Sequence, residues 1–324
     1  MNPQAKIYIA GHRGLVGAAL IRALTISKRG YANLLLRSHV ELDLTDQMAV
    51  ENFFATEKPD YVFLAAAKVG GIHANNTTPA EFIHNNLAIQ TNVIHASWRA
   101  GVRHLLFLGS SCIYPRDCPQ PIKEEYLLTG PLEASNRPYA VAKIAGIEMC
   151  WSYNRQYGTR YLAAMPTNLY GPGDNYDLAN SHVLPALIRK MHEARLSGAS
   201  EVVVWGSGKP RREFLYSDDL ADACLHLLQL PEDRYAELFP EQQPPLVNIG
   251  CGADLSIREL AETVARALGF SGQLRYDTGN PDGTPRKLLD VSRMARLGWK
   301  ARTALPQGIA LAYADYLLTL PRPV

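Results

Sequence analysis

The chain has 324 residues, 47% apolar and 20% charged, with a formal net charge of +2. It is long enough for one large or two coupled units, and its apolar content excludes a disordered chain. The near-balanced charge argues against nucleic acid or an acidic membrane surface as partner, and no apolar run approaches the roughly 18 uncharged residues of a membrane span. The opening Met1-Asn2-Pro3-Gln4-Ala5-Lys6 leads straight into a strand pattern, from which no secretory signal is expected. Residues 6–10, 33–37, 61–65 and 105–108 are short and uniformly apolar, as parallel strands covered on both faces should be. Helical patterns fall between them near 15–26, 46–56 and 81–99. This alternation predicts an α/β fold, a doubly wound parallel sheet with any ligand along the C-terminal ends of its strands. After Tyr170 the turn Gly171-Pro172-Gly173-Asp174-Asn175 precedes a helix expected over 182–195 and a strand over 201–205. Pro and Gly are denser beyond, at 240–245 and 279–285. We expect residues 1–170 to form a nucleotide-binding domain, with 214–250 returning to it, and 171–324 a smaller α/β substrate domain.

Five cysteines, Cys112, Cys118, Cys150, Cys224 and Cys251, are odd in number and include no CxxC pair. They predict reduced thiols in a cytoplasmic protein, with neither a disulfide framework nor a zinc site. The remaining histidines, such as His73 and His226, show no metal-ligand spacing and are expected to be structural.

The first chemical signal is Gly11-His12-Arg13-Gly14-Leu15-Val16-Gly17, which ends the first strand and opens the first helix. Glycines there allow a sharp turn and a close approach of backbone to a pyrophosphate, which the helix N-terminus then faces. Such a pattern alone is an ordinary strand-to-helix turn, but its place in the first unit of an alternating chain predicts a Rossmann dinucleotide site. At the end of the second strand, where NAD enzymes commonly place an acid, the chain has Arg37-Ser38-His39. With Arg13 in the glycine turn, these cations favour a 2′-phosphate and hence NADP(H). Asp43-Leu44 follow within reach of the adenine edge.

Tyr139 and Lys143 stand four apart where a helix should begin after Asn136-Arg137-Pro138, so both fall on one face. A neighbouring ammonium favours phenolate and is expected to lower the tyrosine pKa from about 10. Tyr139 could then exchange a proton with a substrate oxygen while Lys143 also holds the nicotinamide ribose. Ser110, in Gly109-Ser110-Ser111 at the end of an apolar strand, can hydrogen-bond the same oxygen.

With these motifs the chain resembles the extended short-chain dehydrogenase/reductase superfamily through most of its length, by Gly11 to Gly17, Asp43-Leu44, Ala65-Ala66-Ala67, Asn86 and Asn92, Ser110, Tyr139 and Lys143, Asn168-Leu169-Tyr170-Gly171-Pro172, Arg212-Glu213-Phe214 and Asn248-Ile249-Gly250. More narrowly it is similar to the GDP-L-fucose-forming branch, bifunctional epimerase–reductases that act on GDP-4-keto-6-deoxy-D-mannose. The stretches that carry this are Lys68-Val69-Gly70-Gly71-Ile72, Ser110-Ser111-Cys112-Ile113-Tyr114-Pro115, Met165-Pro166-Thr167-Asn168, Asn180-Ser181-His182-Val183 and Pro281-Asp282-Gly283-Thr284-Pro285-Arg286-Lys287. The resemblance implies that Leu108, Gly109, Ser110, Ser111, Pro166, Thr167, Asn168, Leu169 and His182 contact the cofactor. It further implies Lys190 and Arg212 against the substrate diphosphate, Trp205 and Asp282 shaping the nucleotide-sugar pocket, a guanine base, and a homodimer built on two helices. Those helices carry Leu87, Val93, Ile94 and Trp98 on one and Ile144, Ile147 and Trp151 on the other. Two positions depart from the branch: His39 stands where a second arginine is common, and Lys190 replaces the second arginine of a dibasic pair.

In a 4-keto sugar the carbonyl acidifies the protons on C3 and C5, and inversion needs a base on one face and an acid on the other. Cys112, two residues beyond Ser110, offers a thiol with an ordinary pKa near 8.5, and His182 an imidazole that titrates near neutrality. Related 4,6-dehydratases carry an acid near the position of Cys112, so a thiol argues against dehydration. Ser110 and Tyr139 can hold the enolate oxygen and then serve the reduction at C4. Two other readings keep the scaffold: a nucleotide-sugar 4-epimerase or 4,6-dehydratase with retained NAD, and a non-enzymatic dinucleotide sensor. The second is weakened by the presence of both Tyr139 and Lys143.

Overall fold

Along the first strand, Ile7–Ala10 (β1), successive side chains enter opposite cores: Ile7 and Ile9 join one cluster, Tyr8 and Ala10 another. A strand covered on both faces cannot alternate apolar with polar, which is why these segments are uniformly apolar. The computed structural model describes residues 1–26, 30–178, 180–279 and 282–320, with the side chains of residues 72 and 73 outside the description. His73 therefore lies outside the described side chains.

After β1 come α1 (Leu15–Ile26), β2 (Leu34–Leu35), α2 (Gln47–Glu57), β3 (Tyr61–Leu64), α3 (Ile72–Thr77) and α4 (Pro79–Arg99). Then follow β4 (His104–Leu108), α5 (Arg137–Tyr157), β5 (Arg160–Pro166), β6 (Asn168–Tyr170), α6 (Val183–Ser197), β7 (Glu201–Trp205), β8 (Arg211–Tyr216) and α7 (Ser217–Gln229). The chain closes with α8 (Glu232–Ala236), β9 (Leu246–Ile249), β10 (Asp254–Ser256), α9 (Ile257–Leu268), β11 (Gln273–Asp277), β12 (Arg286–Lys287), α10 (Ser292–Arg296) and α11 (Leu305–Thr319).

Six strands form the expected doubly wound parallel sheet in the order β2-β1-β3-β4-β5-β9. The chain reverses direction across the sheet between β1 and β3, so a crevice opens at the C-terminal ends of those strands. The second strand is shorter than its apolar run: only residues 34 and 35 pair, and only with β1, because it is an edge strand.

One face of the sheet carries α1 and α7, whose Leu20, Leu24, Leu220 and Leu227 share a core with Ile7, Ile9 and Val247. The other carries α2, α4 and α5 around Phe54, Val93, Ile94 and Ile147. Thus Val93, Ile94 and Ile147 face the chain's own core, and their periodicity reports packing inside one chain. A third cluster joins α6, α9 and α11 to β7 and β8. There β8 pairs with β10, β12 and β6, while β7 pairs with β11.

Among the described residues no helix is long and apolar enough to cross a membrane, and no group of side chains is arranged to hold a metal. All five cysteines are free of disulfides.

Candidate active site

The turn between β1 and α1 depends on two of its glycines. Gly11 has φ +83, and a Cβ there would stand 2.7 Å from the amide nitrogen of Ala66; at Gly17 a Cβ would meet the Gly11 carbonyl at 2.2 Å. Gly14 is different, since the nearest atom to a Cβ is 3.5 Å away. The backbone around it is open toward a cavity of about 670 Å³ that runs along the C-terminal ends of the central strands. The same cavity is lined by His39, Asp43, Leu44, Leu108, Gly109, Ser110, Ser111, Tyr139, Lys143, Pro166, Thr167, Asn168, Leu169 and His182. Residues expected on cofactor and chemistry grounds, drawn from separate stretches of the chain, thus line one cavity. His12, Arg13, Arg37 and Cys112 are off it.

α5 begins at Arg137 with Pro138 in its first turn, which sets Tyr139 and Lys143 one above the other. Lys143 Nζ donates to the Leu108 carbonyl at 2.8 Å and lies 5.7 Å from the centre of the Tyr139 ring. The ammonium therefore sits over the ring face and is committed to a carbonyl. The expected fall in the Tyr139 pKa does not occur: burial pushes the phenol up, the Cys112 sulfur adds to this, and the hydrogen bond with Ser110 opposes it only in part. Burial also lowers Lys143 to about 8. In the free protein at neutral pH, Tyr139 is a protonated donor beside a charged lysine.

His182 is the N-cap residue of α6, with extended backbone (φ −76, ψ 167) and no side-chain cap bond, so its imidazole is free to face the cavity. The side chain is exposed, yet the protein packed around it disfavours the imidazolium and lowers its pKa. Cys112 lies in a single helical turn, Ser111–Ile113, where its amide donates to Ser110 Oγ at 3.4 Å. The thiol is buried and belongs to none of the three apolar clusters. Its pKa is raised, burial outweighing the pull of the Lys287 ammonium, the Ser110 hydrogen bond and Lys143.

Lys287 is the residue that sequence reasoning missed. Its segment runs beside residues 120–122, with Ile122 N–H donating to the Leu288 carbonyl at 2.7 Å, and its Cα pairs with Arg212 in the β8 ladder. The cation thus reaches Cys112 from 175 positions away in sequence, a distance no local spacing can encode. Its only sequence signal was membership of the 281–287 stretch.

At the far end of the groove the two arginines differ. Arg37 Nη2 is 2.7 Å from Glu57 Oε1, and its guanidinium lies over the Phe53 ring at 5.4 Å. Arg13 is exposed. A carboxylate also stands here, one that the sequence reading did not weigh: Glu41 accepts from both the amide and hydroxyl of Ser38 at 2.7 Å. Those bonds, with Arg37 and Arg13 nearby, hold it below the usual carboxylate range.

The four residues expected at the nucleotide-sugar form a separate cluster. Lys190 Nζ lies 5.0 Å from the centre of the Trp205 ring, which is 59% exposed and presents a face for stacking. Asp282 accepts from the amide and hydroxyl of Ser207, both at 2.7 Å. Arg212 is half-buried near Glu133 and Asp282, and partial desolvation lowers its pKa.

Several known proteins are similar to this chain. The profile of the NAD dependent epimerase/dehydratase family matches residues 7–250. GDP-L-fucose synthase 1 of Arabidopsis thaliana is 58% identical over 316 residues, 98% of this chain and 94% of that protein. GDP-L-fucose synthase of Escherichia coli K12 is 54% identical over 314 residues, 96% of each. Among solved structures, MlghC, a GDP-mannoheptose C4 reductase from Campylobacter jejuni with NADP bound, superposes with a TM-score of 0.89 at 43% identity, covering 98% of this chain and 99% of its own.

Proposed function

The chain belongs to the NAD dependent epimerase/dehydratase family, and from that premise we propose how it works as an enzyme of GDP-sugar metabolism. It converts GDP-4-keto-6-deoxy-D-mannose to GDP-L-fucose by inversion at C3 and C5 and NADPH-dependent reduction at C4. The observation that supports this most directly is the single cavity joining the glycine turn to Ser110, Tyr139, Lys143 and His182. The test is incubation with the keto sugar and NADPH, following loss of reduced-nicotinamide absorbance and identifying the product. Turnover without net NADPH consumption would instead favour a 4-epimerase or dehydratase with retained NAD.

The groove fits the dinucleotide: the open backbone at Gly14 lets a pyrophosphate approach the N-terminus of α1, and we assign Lys143, in the lining of the same cavity, to the nicotinamide ribose. Bound there, NADPH supplies the hydride that reduces C4. In our reading Ser110 and Tyr139 hydrogen-bond the C4 oxygen, first as an enolate and later as it takes up a proton from Tyr139. Cys112 and His182 remove and return the C3 and C5 protons on opposite faces, and the Lys287 charge favours the Cys112 thiolate once the sugar is in place. Lys190 and Arg212 hold the diphosphate, Trp205 stacks on the base, and Asp282 positions Ser207 at the pocket edge.

Because Arg37 is held by Glu57, Arg13 carries most of the 2′-phosphate grip. Arg13→Ala should raise the NADPH dissociation constant by about tenfold or more, the loss of a charge-assisted pairing, and leave NADH within about twofold. Arg37→Ala should cost NADPH less. Equal losses for both dinucleotides in a fluorescence titration would overturn the assignment.

We assign residues 1–170, with 214–250, to the nucleotide-binding part and 171–324 to the substrate part, since β9 and α7 pack with the first sheet. We also propose a cytoplasmic homodimer. Its support is a mostly apolar depression formed by Pro79, Ala80, Ile83, Arg137, Pro138 and Val141 at the starts of α4 and α5, together with five unbridged cysteines. Sedimentation equilibrium should give twice the chain mass, and Val141→Glu should restore the monomer.

A further inference from the structure

Two polar atoms in the wall of the main cavity are out of solvent and have no hydrogen-bond partner among the described residues: Asp174 Oδ2 and Ser181 Oγ. The other Asp174 oxygen accepts the Asn175 amide at 2.8 Å, so the carboxyl is fixed in orientation with one oxygen left over. Burial pushes its pKa up to about 7. Buried polar atoms in folded proteins are nearly always bonded, and leaving one unpaired is destabilising. Two such atoms in the lining of the cavity that also holds His182, Ser110 and Tyr139 indicate that a ligand completes them.

The chemistry of the pair selects that ligand. A carboxyl oxygen accepts and a serine hydroxyl both donates and accepts, which is the complement of sugar hydroxyls. The loop that carries them joins β6 to α6, and α6 continues to Lys190 and its contact with Trp205. It therefore belongs to the wall leading to the nucleotide-sugar cluster, whereas the cofactor wall is built by the ends of β1, β4 and β5. We propose that Asp174 and Ser181 bind hydroxyl groups of the hexose ring and hold it at the reacting carbonyl. This rests on the function proposed above and adds two sugar-binding residues to it.

The test is calorimetric titration of GDP-L-fucose into NADP⁺-loaded protein at pH 8. Asp174→Asn keeps the shape of the side chain and its bond from Asn175 while removing the charge; it should weaken sugar binding by about tenfold or more, and Ser181→Ala by about threefold to tenfold. NADP⁺ affinity should stay within about twofold in both. Without sugar, Asp174→Asn should raise Tm by about 2 °C at pH 8, since it removes a buried uncompensated carboxylate. Unchanged sugar affinity in both variants overturns the inference. So does a loss that appears in NADP⁺ affinity, which would mean that the nicotinamide carboxamide is their partner. Should Asp174→Asn fold poorly, Ser181→Ala carries the test alone. Failure of the wild type to bind GDP-L-fucose would instead count against the proposed function itself.

Discussion

Tyr139→Phe is expected to lower kcat for NADPH oxidation by the keto sugar by about 10²- to 10⁴-fold, the usual worth of a positioned proton donor. Burial keeps the phenol protonated, and reduction at C4 requires a proton for the developing alkoxide. The ring packs edge-on to Phe82 at 6.4 Å, and phenylalanine preserves that contact, so folding and NADPH affinity should be little changed. The pH profile should match. Because Tyr139 is pushed upward, no phenolate limb should appear near neutrality. Lys143 is depressed from 10.5 to about 8, so its ammonium is complete well below pH 8 and is lost as pH rises through that value. For the free enzyme, kcat/KM should therefore fall above about pH 8. A Tyr139→Phe variant that still turns over at the wild-type rate would remove the tyrosine from its catalytic role.

Cys112→Ser should slow solvent deuterium uptake at C3 and C5 by about 10²-fold or more, since a serine hydroxyl is a far weaker base than a thiolate. The same variant should bind NADPH normally and still reduce a keto sugar whose C3 and C5 are already inverted. That split separates a proton-exchange role from a packing role, because a collapsed pocket would damage both steps. Burial raises the Cys112 pKa, and Lys287 opposes it most among the charges. Lys287→Met should accordingly move the pH midpoint of exchange upward while Cys112 remains present. Unchanged deuterium uptake in Cys112→Ser would transfer the base role elsewhere.

Much of this molecule was readable because its signals are local. Uniform apolar runs marked β1, β3 and β4 to within a residue or two, and helix boundaries at α1, α4 and α6 followed the amphipathic pattern. The turn from Gly11 to Gly17 and the pair Tyr139 and Lys143 are set by spacing within one element, which sequence records directly. Even so, one periodic pattern was ambiguous in its meaning: the apolar faces of α4 and α5 serve the chain's own core through Val93, Ile94 and Ile147.

The sequence by itself determined the fold class, the place of the dinucleotide turn and the residue types available for proton and hydride chemistry, since each depends on neighbours within a few positions. Tertiary structure alone decided the electrostatic state of those residues. It raised the Tyr139 phenol where spacing implied the opposite, brought the Lys287 charge to bear on Cys112, tied Arg37 to Glu57, and left Asp174 Oδ2 and Ser181 Oγ in the cavity wall with no hydrogen-bond partner among the described residues. The reason is physical: desolvation and charge pairing act through space, and their sign depends on which distant segments exclude water from a group and which charges they bring beside it.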